Sequence, residues 1–480
     1  MPRTCYNPSM TLTSVNVASA ERGDKAAMTD AELVARYDGR VPRYTSYPTA
    51  PHFSPAVGVA TYAAWLQALP AETTLSLYLH VPFCDRLCHY CGCNTTVVRL
   101  DSARRAYAAL LEREIARVAA LIGRRAPVSH VHWGGGTPTS LPGDCLTAIM
   151  ALIGEKFALT PEAEIAIELD PTTLPPDRHA ALGEMGVTRV SLGVQDLEPA
   201  VQDAIGRRQS YEQTEDCAAK ARALGVGSMN LDLIYGLPLQ TEESVARTAR
   251  RALALNADRV AVFGYAHVPW MKKHQQLIPE DTLPGPLARF AQQHAIHRVL
   301  TEEGGYIPVG LDHYARPGDA MAEAAATRQL HRSFQGYTDD AAPALLGFGA
   351  SAIGSLPQGY VQNAPTALAY GKAIEAGGLA IVRGVALTAD DRLRRDLIER
   401  LMCDLDVDVV ALAAAHGADP APLVAALAGL APFEADGLAD WDGARLKVSE
   451  KGRPFVRSVA ALFDAHLSQA DDKPRHSRAV

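Results

Sequence analysis

Between residues 75 and 265 the chain repeats one pattern six times, a short segment of alternating apolar and polar side chains and then, in most cases, a longer segment with apolar residues at helical spacing. The strand segments are 75–81, 128–133, 164–169, 188–194, 227–234 and 259–265; helical patterns at 102–122, 144–153, 177–185, 211–224 and 241–255 lie between them. Consecutive β/α units of this kind fold as a parallel sheet, doubly wound or as a partial barrel. Parallel strands buried on both faces read as continuous apolar runs. These do not, because side chains alternate with period two and one face is polar. Ser76, Tyr78 and His80 oppose Leu77, Leu79 and Val81; Ala166, Glu168 and Asp170 oppose Ile165, Ile167 and Leu169. Ser191, Gly193 and Gln195, then Asn230 and Asp232, continue that face. A closed barrel fills its interior with branched aliphatics. The expected fold is therefore α/β, a partial, open (β/α)6 barrel with a polar lumen, its polar residues falling late in the strands where α/β active sites form.

At 480 residues the chain holds more than this barrel. Residues 1–29 read as a disordered tail, with Met28 an alternative start. Residues 30–74 form an arm expected to pack on the barrel, with a short helix at 31–37 and then VPRYTSYPTAPHF, whose prolines forbid a long helix. The barrel and its extension cover 75–375, with regularity fading after about 265. A helix from Thr388, carrying Leu393, Leu397 and Leu401 at spacing four, belongs to a mainly helical C-terminal domain at 376–468, and 469–480 is a second polar tail expected to be disordered. No run of about 18 apolar residues predicts a membrane span, since the Ala-rich stretch 409–431 is broken by His416, Asp419 and Pro420. The N-terminus has no apolar core of a signal peptide. With 46 Lys+Arg against 54 Asp+Glu and a net charge of −8, nucleic-acid wrapping is disfavoured and a cytoplasmic enzyme is expected.

Four of the eight cysteines, Cys84, Cys88, Cys91 and Cys93, fall within ten residues directly after the first strand, in HVPFCDRLCHYCGC. Cys5, Cys145, Cys217 and Cys403 are scattered and read as free thiols. A disulfide pair in the cluster would need an oxidising compartment that nothing in the sequence indicates. Cys84, Cys88 and Cys91, at spacings of four and three, suit three corners of an iron–sulfur cube with one iron left open. A tetrahedral zinc site with Cys93 as fourth ligand is the alternative, although structural zinc sites usually draw on two separated pairs.

The CX3CX2C loop with Tyr90 before its third cysteine resembles the radical S-adenosylmethionine superfamily. Extended over HWGGGTPT (132–139), EIAIELDP (164–171), RVSLGVQD (189–196) and NLDLIYGLP (230–238), the match is closer, and the sequence resembles the oxygen-independent coproporphyrinogen III oxidase, or dehydrogenase, family of heme biosynthesis from about residue 31 to 467. The resemblance implies one 4Fe-4S cluster on Cys84, Cys88 and Cys91, and a 5′-deoxyadenosyl radical made there from S-adenosyl-L-methionine. It implies anaerobic oxidative decarboxylation of two propionates of coproporphyrinogen III to vinyl groups, giving protoporphyrinogen IX. Tyr78, Tyr90, Gly135, Gly136, Thr137 and Glu168 match contacts to the cluster-bound cofactor; Gln195, Arg207, Asp232, Ala266 and Ile353 match contacts to a second S-adenosyl-L-methionine. Cys93 matches a cysteine required for catalysis. A reductant protein such as flavodoxin or ferredoxin is implied as partner, and a monomer is expected.

Read without the resemblance, several of these residues have plainer roles. Gly135 and Gly136 could be a bare turn, Glu168 a carboxylate paired with a lumen cation, and Arg207 beside Arg208 a solvated pair. The rival function within the superfamily is a heme-binding chaperone without dehydrogenase activity. Cys93 after Gly92, PRYTSYPT (42–49) and HRSFQGYT (331–338) resemble the enzyme branch instead. A winged-helix DNA-binding role for the C-terminal unit is disfavoured by the net negative charge. Arg43, His331 and Arg332 are candidates to hold substrate propionates, because a polyanion needs cations near it.

Overall fold

The computed structural model describes residues 28–467, so the two expected tails lie almost wholly outside the described residues. Helix α1 (Asp30–Tyr37) begins with a capping box, in which the Glu32 amide donates to Thr29 Oγ1 and the Thr29 amide donates to Glu32. The six expected strands are β1 (Leu75–Val81), β2 (Pro127–Gly135), β3 (Ala158–Leu169), β4 (Arg189–Gln195), β5 (Ser228–Tyr235) and β6 (Arg259–Gly264). The helices between them are α2 (Asp101–Ile122), α3 (Gly143–Lys156), α4 (Pro176–Glu184), α5 (Tyr211–Ala223) and α6 (Glu242–Ala254). Every pairing from β1 through β6 is parallel.

Beyond residue 265 come α7 (Pro286–Arg298) and six further strands of the same sheet: β7 (Ile307–Val309), β8 (His313–Ala315), β9 (Ala344–Phe348), β10 (Ile353–Leu356), β11 (Gly359–Asn363) and β12 (Ile381–Ala386). The sheet runs β12-β11-β10-β9-β1-β2-β3-β4-β5-β6-β8-β7. β9 returns to lie parallel to β1, making a seventh parallel strand, while both ends of the sheet are antiparallel. The end strands do not pair with each other, and the barrel stays open. Its apolar face is shut against the helices: Leu75, Leu77, Leu79 and Val81 are all at most 1% exposed. Burial of that face is the main force holding the sheet to its helices.

Helix α8 (Ala389–Asp404) starts at Thr388, which forms a capping box with Asp391, and buries Leu393, Leu397 and Leu401. It packs with a small sheet of Asp406–Asp408, Ala439–Trp441 and Arg445–Val448. The N-terminal arm divides between the two cores. Val57, Tyr62, Leu66 and Leu69 pack in the barrel, whereas Leu33, Val34, Tyr37, Tyr44 and Tyr47 join the C-terminal core beside Phe290 of α7. The segment between Tyr47 and Val57 therefore links the two cores. Cys145, Cys217 and Cys403 are free thiols, and Cys5 lies outside the described residues. No helix among the described residues is long and apolar enough to cross a membrane.

Candidate active site

The chain leaves the C-terminal end of β1 directly into the cysteine loop. Two short strands, Phe83–Cys84 and Thr96–Val97, pair in parallel and close its base, with the Thr96 amide donating to Pro82 O (2.7 Å). Cys88 is buried, Cys84 and Cys91 are half-buried, and Cys93 is exposed. The loop's own carbonyls are held from outside. Lys272 Nζ donates to Cys93 O (2.8 Å), His274 Nε2 to Cys91 O (2.7 Å) and Gln275 Nε2 to Tyr90 O (2.9 Å). On the other flank the His89 amide donates to Ile205 O (2.9 Å). Burial pushes the Cys84 thiol up to about 12, whereas the hydrogen bond with Cys93 draws Cys91 down to about 6.

Glycines at the end of β2 let its backbone lie against this loop. The Gly136 amide donates to Val81 O and the Thr137 amide to Phe83 O, both at 2.8 Å. A Cβ on Gly136 would fall 2.6 Å from Phe83 O and 3.0 Å from Cys84 Sγ. Gly135 has φ of +112°, and a Cβ there would meet the His80 ring at 2.6 Å, so both positions need glycine. Glu168 Oε2 accepts the Gly135 amide (3.2 Å), and its Oε1 lies 3.3 Å from His132 Nε2. Tyr78 stacks on His132 and its hydroxyl lies 3.0 Å from His80 Nδ1. Since His80 Nε2 faces the Asn94 carbonyl at 3.1 Å, that nitrogen carries the proton and Nδ1 accepts from Tyr78. Burial lowers the His80 pKa, which keeps the ring neutral. Ser76, Tyr78, His80, Cys93, Glu168 and Ile353 line a cavity of about 1110 Å³.

Deeper along the rim, Arg207 Nη2 donates to Gly193 O (2.8 Å), and Nη1 lies 3.3 Å from Asp170 Oδ2 and 3.7 Å from Cys88 Sγ. Burial would raise the Asp170 carboxyl, but Arg207 and the Thr172 amide hold it below its ordinary value. Gln195 sits at φ of +67°, with its amide beside Gly193. Asp232 accepts from Asn230 Nδ2 (2.8 Å) and Ser191 Oγ (3.1 Å); burial, with the nearby Glu168 charge, raises it to about 6. The donor set fits an iron–sulfur cluster. Cys84, Cys88 and Cys91, at spacings of four and three, share one closed loop. The Nε of Arg207 is buried with no hydrogen-bond partner among the described residues, a donor left over beside the cysteines.

Residues 78–252 match the radical SAM superfamily, and 387–455 match the HemN C-terminal domain. A relative from Bradyrhizobium diazoefficiens named oxygen-independent coproporphyrinogen III oxidase is 52% identical over 451 residues, covering 94% of this chain and all of the relative. This chain belongs to the oxygen-independent coproporphyrinogen III oxidase family. A relative of the same name from Escherichia coli is 40% identical, over 94% of this chain and 98% of its own. The solved structure titled coproporphyrinogen III oxidase from Escherichia coli, a radical SAM enzyme, superposes with a TM-score of 0.86 at 39% identity, covering 92% of this chain and all of that one.

Within this oxidase-family fold the residues expected around the cluster-bound cofactor, Tyr78, Tyr90, Gly135, Gly136, Thr137 and Glu168, cluster around the cysteine loop. The other set is more spread. Gln195 and Arg207 meet at Gly193, but Arg207 already faces Asp170. Ile353 lines the large cavity, while Ala266, whose carbonyl accepts from Gln275 Nε2 (3.2 Å), lines a second cavity of about 460 Å³. Lys272, His274 and Gln275 were not singled out in the sequence. The signal available was a run of polar and cationic residues, MKKHQQ, soon after a strand's C-terminal end.

Proposed function

We propose that this chain converts two propionate side chains of coproporphyrinogen III to vinyl groups without oxygen, giving protoporphyrinogen IX. The observation that carries this reading is the clamped cysteine loop, whose Cys93 lines a cavity of about 1110 Å³, larger than a drug-sized ligand needs. The carrier alternative gains no support from relatives named as oxidases.

Cys84, Cys88 and Cys91 would hold the cluster, and S-adenosyl-L-methionine would lie on Gly135, Gly136 and Thr137, with Glu168 accepting from its ribose hydroxyls. The chemistry these groups would supply when bound is one-electron cleavage of a sulfonium and hydrogen-atom abstraction from a propionate β-carbon, after which each vinyl group forms by loss of carbon dioxide and of one electron to a one-electron acceptor. The chain's own residues order that space. Glu168 is oriented by the Gly135 amide and His132, so its free lone pairs point at the cavity it lines. Tyr78 is held by neutral His80, and Cys93 presents an exposed thiol to the same cavity. We assign Cys93 a catalytic role toward the substrate. Two propionates need two hydrogen abstractions, and a second S-adenosyl-L-methionine would be held by Gln195, Arg207, Asp232, Ala266 and Ile353. The electrons come from a reductant protein such as flavodoxin or ferredoxin, and the enzyme acts as a cytoplasmic monomer.

The test is anaerobic turnover of coproporphyrinogen III by reconstituted protein with reductant and S-adenosyl-L-methionine, read by product mass. Loss of two carboxyl groups is expected; unchanged substrate in the presence of an intact cluster overturns the reading.

A further inference from the structure

The second cavity lies at the C-terminal ends of β5 and β6, where Tyr235, Gly264 and Ala266 form one wall. Five arginines line it: Arg40 lies over the Trp270 ring, and the other four converge from four parts of the chain, Arg43 from the arm, Arg289 from α7, Arg332, and Arg457 from the C-terminal unit. Their hydrogen bonds go mostly to neutral backbone. Arg43 Nη2 donates to Gly264 O (2.9 Å), Arg332 Nε and Nη2 to Arg43 O (3.3 and 3.2 Å), and Arg457 to the carbonyls of Pro42 and Val41.

Negative charge is short by comparison. Asp312 faces the group from 4.0 Å off Arg332 Nη1, and it is also tied to His313 Nδ1 at 2.7 Å. Of the two other acids on the wall, Glu280 is largely exposed and lies near His267, while Asp38 and Arg457 each make a further interaction. Burial together with the like charges of Arg43 and Arg332 lowers Arg457 to about 9. Two donors stand ready. Among the described residues, Arg332 Nη1 is buried with no hydrogen-bond partner, and Arg289 makes no hydrogen bond or ion pair. Arg289 lies over the Tyr235 ring, 5.5 Å from its centroid, in a notch of two glycines: a Cβ on Gly236 would collide with its Nη1, and one on Gly264 would come 3.2 Å from Nη2. Arg289 is half-buried with a free fork of donors, and a planar fork of donors matches a carboxylate.

We propose that this arginine cavity binds carboxylates of the substrate, taking the propionates that the reaction leaves intact; this rests on reading the chain as a coproporphyrinogen oxidase. Arg332 lines both cavities, so a macrocycle anchored here reaches the cysteine side with its other edge. Four propionates enter and two react, and the two that remain need an anchor that the reacting side does not provide. The same chemistry could serve the carboxylate of an S-adenosyl-L-methionine, since Ala266 is on this wall, and the experiment separates the two.

Reconstituted full-length wild type, Arg289→Ala and Arg289→Lys are titrated with coproporphyrin III and its tetramethyl ester by fluorescence, and with labelled S-adenosyl-L-methionine by equilibrium dialysis. Arg289→Ala is expected to weaken coproporphyrin III binding by about tenfold or more, the loss of a charged hydrogen bond. Lys should recover part of it, the ester should bind both proteins equally weakly, and S-adenosyl-L-methionine binding should not change. KM for coproporphyrinogen III rises while kcat holds. Unchanged porphyrin affinity in Arg289→Ala overturns the proposal, and so does a loss of S-adenosyl-L-methionine instead of porphyrin. Wild-type turnover with an unaffected variant overturns this site alone; no turnover in the wild type overturns the function on which it rests.

Discussion

The two cavities on the rim of the sheet handle charge in opposite ways. In the larger one cations and carboxylates come in pairs: Arg189 with Glu164 (2.5 Å), His130 with Asp340 (3.1 Å), Arg395 with Asp396 (3.1 Å) and His331 with Glu399 (3.3 Å). In the smaller one the arginines lean on backbone carbonyls and share Asp312. Paired charges offer hydrogen bonds without a strong net field, which suits a lumen for reactive intermediates, while an uncompensated cluster attracts anions. The contrast also sorts the three residues that the sequence suggested for the propionates. His331 is engaged by Glu399, and Arg43 and Arg332 lie where arginines outnumber carboxylates.

Removing the cluster ligands should affect one cavity and leave the other. Replacing Cys84, Cys88 or Cys91 by Ala is expected to abolish cluster assembly and turnover while coproporphyrin III still binds; iron and sulfide per chain beside porphyrin titration decide this. Loss of porphyrin affinity in these variants would mean that the two cavities are not separable. Cys93→Ala should retain iron and sulfide and lose decarboxylation. A cluster lost in that variant as well would make Cys93 a ligand.

The next largest effect concerns the deep end of the large-cavity side. Asp232→Ala is expected to lower bound S-adenosyl-L-methionine from two per chain toward one with the cluster intact and turnover greatly reduced. Arg207→Ala should do the same and also destabilise the fold, because Asp170 would keep only the more distant Arg86 Nη2 (3.8 Å) and its Thr172 hydrogen bonds. Saturation of the wild type at one per chain would reassign these residues. Glu168→Ala is expected to weaken the cluster-bound cofactor by roughly tenfold to a hundredfold, the worth of one lost charged hydrogen bond, with porphyrin affinity unchanged.

A last effect, on stability and not on activity, lies behind the sheet, in neither cavity. Glu114 on α2 is 2% exposed and accepts from the Gly349 amide (2.8 Å), Asn363 Nδ2 (2.7 Å) and Tyr370 O–H (2.7 Å). Burial outweighs these donors and raises its pKa from 4.5 to about 7. The folded state thus holds this proton more tightly than the unfolded chain. Its contribution is complete below about 4.5 and lost as pH rises through about 7, an effect of about 3 kcal/mol. Denaturant unfolding of Glu114→Gln at pH about 5 and about 8 should show this slope flattened; an unchanged slope would move the titration to another group.

Much of the barrel was legible because its signals are local. Period-two alternation named β1 through β6 to within a few residues, except that β3 starts six residues early, and Leu393, Leu397 and Leu401 announced α8. The seventh parallel strand, β9, was not foreseen. ALLGF is a short apolar run flanked by irregular segments, and a run of that length does not distinguish strand from buried helix. The arm misled in part for the same reason: its tyrosines advertise burial but not which core receives them, and Tyr44 and Tyr47 went to the C-terminal one.

The sequence by itself determined the α/β alternation, the polar lumen face and the three-cysteine loop after the first strand, because side-chain period and covalent spacing are properties of neighbouring residues. Only the tertiary structure decided that Lys272, His274 and Gln275 clamp that loop, that Arg207 faces Asp170, and that Arg43, Arg289, Arg332 and Arg457 share one cavity. Those arginines are separated by up to 414 positions along the chain. No local pattern links them, and their common charge would drive them apart in an unfolded chain; it is the burial of two apolar cores linked through the segment from Tyr47 to Val57 that forces them together.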